Sequence, residues 1–332
     1  MEIKLNVRRF DPASGEDARF QSYSVDLPEH ATVLDALIQV REYVDGSLAM
    51  RCSCRSAICG SCAMRVDHQA RLACKTKVID LTKGKDHEIT VEPMGNMPVL
   101  KDLVTDMEVH WGKVRQVEPW LMPTGPAPER EYLVPNAAMQ ELAQTMNCIH
   151  CGACVSDCTV LEVDKNFIGP AALAKAYRFA GDPRETRDPN ATVHEDRLRK
   201  LSEYSGIWDC TRCNMCVEVC PKDVRPMDQI MKLRELAVEE GITDNTGARH
   251  GTAFSGSVRR LGRLDEASLL PGSVGFWNVP RLLSELPGGL RMLRVGKLPW
   301  KHALPWHKPI NGVANVRRIF DKLRREKKEA AK

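Results

Sequence analysis

Cysteine spacing constrains this chain more than any other feature. Cys54-x4-Cys59-x2-Cys62 is followed by Cys74 after eleven intervening residues, and two further runs share a different pattern. These are Cys148-x2-Cys151-x2-Cys154-x3-Cys158 and Cys210-x2-Cys213-x2-Cys216-x3-Cys220-Pro221. The first spacing grips a 2Fe–2S cluster and the other two grip cubane clusters. Of thirteen cysteines only Cys52 stands outside the ligand positions. A chain that must wrap three such groups is built to pass single electrons between two partners.

At 332 residues the chain has room for two or three domains. Aromatics are only 5%, as expected where clusters and their loops occupy interior volume. No apolar run approaches the length of about eighteen residues that spans a bilayer. The opening Met-Glu-Ile-Lys-Leu-Asn-Val-Arg-Arg-Phe alternates like a strand and lacks the apolar centre of a secretory signal. So many thiols without an export signal point to metal ligation in a reducing compartment. The net charge of +4 conceals an asymmetry: from Gly241 onward 18 Lys or Arg face 7 Asp or Glu, a local +11, leaving −7 for the residues before it. A basic tail suits nucleic acid, anionic headgroups or an acidic partner, but no aromatic interleaving supports nucleic acid here.

The pattern predicts an α+β chain. Strands are expected at Glu2–Arg9, Gln21–Leu27 and Ile89–Val91, with a helix over Val33–Tyr43 capped by Thr32 and carrying Asp35 in its first turn. Strand, strand, helix, cysteine loop, strand is the order of a β-grasp ferredoxin domain, taken as 1–104. Residues 105–135 read as a linker, since 118–126 is too proline-rich for a helix interior. An α-helical two-cluster ferredoxin domain follows over 136–240, with helices at Ala137–Met146, Pro170–Phe179 and Met227–Glu240. The basic extension, 241–332, is rich in Gly and Pro and ends in a charged helix near Ala314–Glu329.

Cluster iron is tetrahedral and takes a thiolate at each terminal position, so sulfurs must be presented from a wrapped loop. Gly60 lets backbone come close, and loop N–H groups donate to sulfur and set the potential. Cys54, Cys59, Cys62 and Cys74 are the expected 2Fe–2S ligands. In two-cluster ferredoxins the fourth cysteine of each run serves the other cluster. Cys148, Cys151, Cys154 and Cys220 are therefore assigned to one 4Fe–4S cluster, and Cys158, Cys210, Cys213 and Cys216 to the second. Structural zinc uses two cysteine pairs around one four-coordinate ion and does not account for these triple runs. Cys52 is expected as a thiol near a cluster with no ligand role. His150 and Trp208 lie in or beside cluster loops, His68 and His110 read as solvated loop residues, and Arg212 is placed to raise a potential or face an anionic partner.

The order of motifs closely resembles the iron–sulfur subunit of succinate dehydrogenases and fumarate reductases. Carrying the resemblance are Leu34-Asp35-Ala36-Leu37-Ile38, Arg51-Cys52-Ser53-Cys54-Arg55 and Ile58-Cys59-Gly60-Ser61-Cys62-Ala63-Met64, then Glu92-Pro93-Met94, Met97-Pro98-Val99 and Lys101-Asp102-Leu103-Val104. Phe167-Ile168-Gly169-Pro170-Ala171 and Tyr177-Arg178-Phe179 extend it, so that it covers residues 1 to about 235. The resemblance implies an electron-transfer subunit of succinate:quinone oxidoreductase. Electrons would arrive from FAD on a separate flavoprotein subunit and leave to quinone at a membrane anchor. The chain would sit peripherally on the cytoplasmic face of the membrane, with no catalytic residue or substrate site of its own.

Three departures bear on that expectation. In many family members the third cluster is 3Fe–4S, because an aliphatic residue replaces one ligand; Cys213 restores it and predicts 4Fe–4S, with 3Fe–4S as the alternative. Thr159 and Thr211 stand where the family's quinone pocket usually has Pro and His, and Val160–Lys165 contains no Trp. Residues 262–266 and 292–299 look like the C-terminal part of small heterodisulfide-reductase subunits. They raise an alternative, a fumarate reductase coupled to a heterodisulfide-reductase-like or other soluble redox partner.

Overall fold

The computed structural model describes residues 1–82, 88–123, 128–185, 192–275, 277–297 and 307–330. Residues 124–126 of the proline-rich run and 298–299 of the tail motif lie outside them. The chain divides into two compact units, Met1–Leu236 and Ala237–Lys332.

The first unit begins with strand β1 (Glu2–Arg9), whose alternation buries Ile3, Leu5 and Val7. β1 pairs antiparallel with β2 (Arg19–Asp26) and parallel with β5 (Glu88–Glu92), while β3 (Ala63–Val66) pairs antiparallel with β4 (Gln69–Leu72) and with β5. The sheet order is β2-β1-β5-β3-β4. Helix α1 (Val33–Gln39) contributes Val33, Leu34, Ala36 and Leu37 to the same core. Its start is a capping box: the Asp35 N–H donates to Thr32 Oγ1 at 3.2 Å, and the Thr32 N–H donates to Asp35 Oδ2 at 2.9 Å. Instead of running on to Tyr43 as an α-helix, the chain widens into a π turn at Val40–Val44.

The short helix α2 (Val78–Thr82) precedes β5, and the hairpin of β6 (Val99–Lys101) and β7 (Val104–Thr105) leads out of this sheet. Within the stretch expected as a linker stands helix α3 (Glu108–Gln116), which buries His110 and Val114. Helices α4 (Asn136–Met146), α5 (Ala153–Ser156), α6 (Thr159–Val163), α7 (Pro170–Ala180), α8 (Val193–Leu201), α9 (Met215–Glu218) and α10 (Pro226–Glu239) follow. Pro170 occupies the first turn of α7, where its missing N–H costs nothing. The alanines Ala171, Ala172, Ala174 and Ala176 are buried along that helix and allow close approach.

The sheet and the helical part are bolted together. Asn96 Nδ2 donates to the carbonyls of Val155, Ser156 and Cys158 at 2.9, 3.0 and 3.1 Å. The Ala70 N–H donates to the buried carboxylate of Asp157 at 2.8 Å. Within the helical part, Arg197 on α8 is among the largest fully buried side chains. It donates to Glu185 Oε1 at 2.9 Å and to the carbonyls of Val117, Glu118 and Trp120 at 2.9, 2.8 and 3.0 Å. One guanidinium thus satisfies three carbonyls of an irregular segment and a buried carboxylate.

In the second unit α11 (Thr246–Leu261) packs on α12 (Glu266–Val274), and Gly272 marks the crossing: a Cβ there would lie 2.8 Å from Ala253 Cβ. Asn245 caps α11 by accepting from the Ala248 N–H at 2.8 Å. Helix α13 (Val279–Arg294) follows. The last helix, Val313–Ala330, joins α11 through Arg259–Asp321 at 2.7 Å. No helix among the described residues is long and apolar enough to cross a membrane.

Candidate metal centres

The first centre forms where loop 54–62 curls back on itself. Arg55, Ala57 and Gly60 have φ of 55°, 56° and 76°, left-handed values that non-glycine residues adopt only where surroundings enforce them. The curl turns backbone N–H groups toward sulfur. Cys54 Sγ accepts from the N–H groups of Ser56, Ile58 and Cys59 at 3.4, 3.3 and 3.2 Å, and Cys74 Sγ accepts from that of Ala57 at 3.3 Å. Cys59 Sγ accepts from Ser61 Oγ at 3.1 Å and from the Cys54 N–H at 3.5 Å. The Ser61 hydroxyl, helped by these amides, lowers the Cys59 thiol to about 6. Burial pushes Cys62 up to about 12, and a buried thiol of that kind ionises when a cation binds it. Cys62 and Cys74 flank the β3–β4 hairpin, where the Ala73 N–H donates to the Cys62 carbonyl at 3.1 Å. The sheet therefore fixes two of the four sulfurs and the loop fixes the others.

The two cubane-type runs adopt matching backbones. His150 and Gly152 in one, and Arg212 and Asn214 in the other, hold the same two loop positions with φ of 52°, 81°, 58° and 69°. Each loop then enters a one-turn helix, α5 or α9. Asn tolerates the left-handed region that Gly fills in the first run. Cys148, Cys151 and Cys154 line one cavity together with Cys220, the last cysteine of the other run. Ala171 and Ala174 of α7 form its small-residue wall. Burial raises Cys148, Cys151 and Cys154, Cys151 to about 11. Cys158 stands elsewhere: Thr159 Oγ1, on the next residue, donates to Cys213 Sγ at 3.5 Å. Burial pushes Cys213 up, yet Thr159, the Met215 N–H and Thr211 outweigh it and leave the thiol below its ordinary value. Hydroxyls at two positions that depart from the resembled family thus converge on the cysteine that also departs. Among the described residues no three Cys, His, Asp or Glu side chains could hold a single metal ion; the sulfurs stand around loops and a cavity.

The loops touch one another. A Cβ on Gly60 would lie 2.8 Å from Cys151 Cβ and 3.0 Å from its Cα, so only glycine permits this contact between the first two centres. A Cβ on Gly152 would lie 3.2 Å from Met94 Cε and 3.1 Å from Met97 Cε. The Glu92-Pro93-Met94 exit segment is therefore a wall of the first cubane-type loop.

His110 is not a solvated loop residue. It is 1% exposed on α3, with ring centroids 5.1 Å from Trp111 and 5.7 Å from His150, and burial lowers it to about 4. The polar context of α3 hid this packing. His68 is exposed at the β3–β4 turn and pairs with Glu92 at 2.8 Å. Trp208 lies under Arg234, 5.3 Å from its ring centroid. Arg234 went unnoticed in the sequence, yet it is buried and donates to the carbonyls of Ile207 and Cys210 at 2.8 Å each, clamping the entry to the last run. Cys52 is half-buried against the sheet core.

Two family models match the chain: a 2Fe-2S iron-sulfur cluster binding domain over residues 4–111 and a 4Fe-4S dicluster domain over residues 144–224. The fumarate reductase iron-sulfur subunit of Mycobacterium tuberculosis is 36% identical over 242 residues, 72% of this chain and 94% of that protein. The chain belongs to the succinate dehydrogenase and fumarate reductase iron–sulfur subunits. The succinate dehydrogenase iron-sulfur subunit of Paracoccus denitrificans is 33% identical over 71% of this chain and 88% of its own length. A chain of the Mycobacterium smegmatis Sdh1 complex superposes with a TM-score of 0.63 at 26% identity, covering 73% of this chain and 98% of that one. The 8-methylmenaquinol:fumarate reductase iron-sulfur subunit of Wolinella succinogenes is 30% identical over 89% of this chain and 91% of its own length. A match that long includes residues beyond 240, so part of the basic extension has a counterpart there. The family's cofactors are 2Fe–2S and 4Fe–4S clusters, its role is electron transfer, and the α+β architecture is that of this subunit.

Proposed function

We propose that this iron–sulfur subunit carries electrons from FAD on a flavoprotein subunit to quinone at a membrane anchor, in a succinate:quinone oxidoreductase peripheral to the membrane. Cys54, Cys59, Cys62 and Cys74 would hold the 2Fe–2S cluster. Cys148, Cys151, Cys154 and Cys220 would hold one 4Fe–4S cluster, and Cys158, Cys210, Cys213 and Cys216 the second. Bound clusters supply one-electron redox chemistry, which splits the two electrons of each succinate oxidised. The chain's own residues position and insulate: loop amides donate to sulfur, Ala171 and Ala174 leave room, and Arg234 fixes the last loop. We divide the chain functionally into 1–104, 105–135, 136–240 and 241–332, with the last for docking to a partner or the membrane.

The observation that carries the reading is the contact of Gly60 with Cys151, which brings two cysteine loops of different kinds against each other. Quinone as the outer partner, in place of a thiol-reducing protein, is supported by the Wolinella succinogenes relative, an 8-methylmenaquinol:fumarate reductase subunit. The test is anaerobic purification with the flavoprotein partner, followed by succinate and then a quinone. Succinate should bleach the cluster absorbance and quinone should restore it. No bleaching in the presence of an active flavoprotein would overturn the proposal.

A further inference from the structure

Helix α13 has no buried residue. Its large apolar side chains Val279, Leu283, Leu286 and Leu290 are 53, 57, 54 and 64% exposed. They recur at steps of four, three and four, which places them along one face. Trp277, just ahead of the helix, is 95% exposed. Arg281, Arg291 and Arg294 on the helix and Lys297 just past it are exposed, against one acid, Glu285. Pro287-Gly288-Gly289 in the middle of the helix are poor helix formers, so α13 gains its stability from whatever its apolar face meets. The unit is basic as a whole, and a cavity of about 710 Å³ between α11 and α12 is lined by Arg249 and Arg260 with the hydroxyls of Thr252, Ser257 and Ser268.

We propose that α13 lies in the surface of an anionic lipid bilayer, with its leucine face and Trp277 in the headgroup–acyl boundary and its cations on the lipid phosphates. An amphipathic helix with Lys and Arg on its polar side and Leu and Trp on the other is the chemistry of such an interface. A protein groove would be matched by the leucines but not by a surplus of cations on a unit that is basic throughout. This inference rests on the peripheral membrane reading above and names how this chain itself meets the lipid.

The test is vesicle flotation of the full chain with its clusters assembled anaerobically. Vesicles of phosphatidylcholine with about one-third phosphatidylglycerol are compared with phosphatidylcholine alone. The chain should float with the anionic vesicles only, and 0.5 M salt should release it, as roughly 10 Å screening at 0.1 M shrinks further. L283E/L286E, at exposed positions, should lower binding about tenfold or more with cluster absorbance unchanged; R291E/R294E should remove the preference for anionic lipid. Failure to float, or equal flotation of L283E/L286E, overturns the proposal. Self-association of the wild type that L283E/L286E abolishes, without flotation, also overturns it and gives the face to a second copy. Because pure lipid is the probe, loss of succinate-dependent quinone reduction with flotation intact would instead count against the electron-transfer reading.

Discussion

Gly60→Ala tests the contact on which electron exchange between the first two centres depends. Gly60 has φ +76°, and an alanine held there costs about 1–2 kcal/mol. Its Cβ would fall 2.8 Å from Cys151 Cβ, 3.0 Å from Cys151 Cα and 3.3 Å from the Ile149 carbonyl oxygen. Carbon pairs prefer about 3.5–4.0 Å, so the Cys151 backbone has to retreat by roughly 0.5–1 Å, and overpacking of this sort adds about 1–3 kcal/mol. The sum, about 2–5 kcal/mol, corresponds to a fall of roughly 5–15 °C in Tm for a unit of this size. The assay follows cluster absorbance on heating and, by rapid freeze-quench, the interval between reduction of the 2Fe–2S and cubane signals. The variant should melt earlier and lengthen that interval. Gly112→Ala on α3, where a Cβ meets nothing within 4 Å, is the control; it should leave the interval unchanged and melt slightly later, since Ala favours a helix over Gly by about 1 kcal/mol. If Gly60→Ala behaves like Gly112→Ala, the two loops do not touch as described.

Other consequences follow from the same geometry. Cys220→Ser should damage the cubane signal associated with Cys148, Cys151 and Cys154, and Cys158→Ser the other one, as read by electron paramagnetic resonance; the reverse pattern would refute the crossed assignment. Thr159→Val removes a donor to Cys213 Sγ, and since hydrogen bonds to charged groups contribute about 1.5–3 kcal/mol, the third cluster's potential should fall by up to roughly 65–130 mV, at about 59 mV per tenfold. Buried Asp182 would be raised by burial, but Arg184 and Arg178 hold it down to about 2. Its folded value is depressed, so its contribution, about 2 kcal/mol, is complete above about pH 4 and is lost as pH falls toward 2. Denaturant titrations should show that acid limb, and Asp182→Asn should flatten it.

What the sequence disclosed was whatever is local. Strand alternation at Glu2–Arg9, the Thr32–Asp35 cap and the ligand spacings each depend on neighbours within a few residues. The helices at Ala137–Met146, Pro170–Phe179 and Met227–Glu240 were likewise found within a residue or so of their observed ends. Helices α3 and α8 escaped because each is short, has no side-chain cap and carries charge on most faces. Arg197 reads as one more surface cation in Val-His-Glu-Asp-Arg-Leu-Arg-Lys-Leu, yet it is buried because Glu185 and three carbonyls some eighty residues upstream wait for it. Arg234 is the same case: its carbonyl partners lie 27 and 24 residues upstream, at the far end of the last cysteine run. The hydroxyls around Cys213 were visible as residues that differ from the resembled pattern, but their convergence on one sulfur is a property of the folded chain.

The most direct test is iron analysis of the anaerobically purified chain together with its electron paramagnetic resonance after air oxidation. Two 4Fe–4S clusters and one 2Fe–2S cluster predict about ten irons per chain and no strong 3Fe–4S signal in intact protein. Fewer irons with zinc in their place, or a full-strength 3Fe–4S signal without loss of iron, would contradict the account.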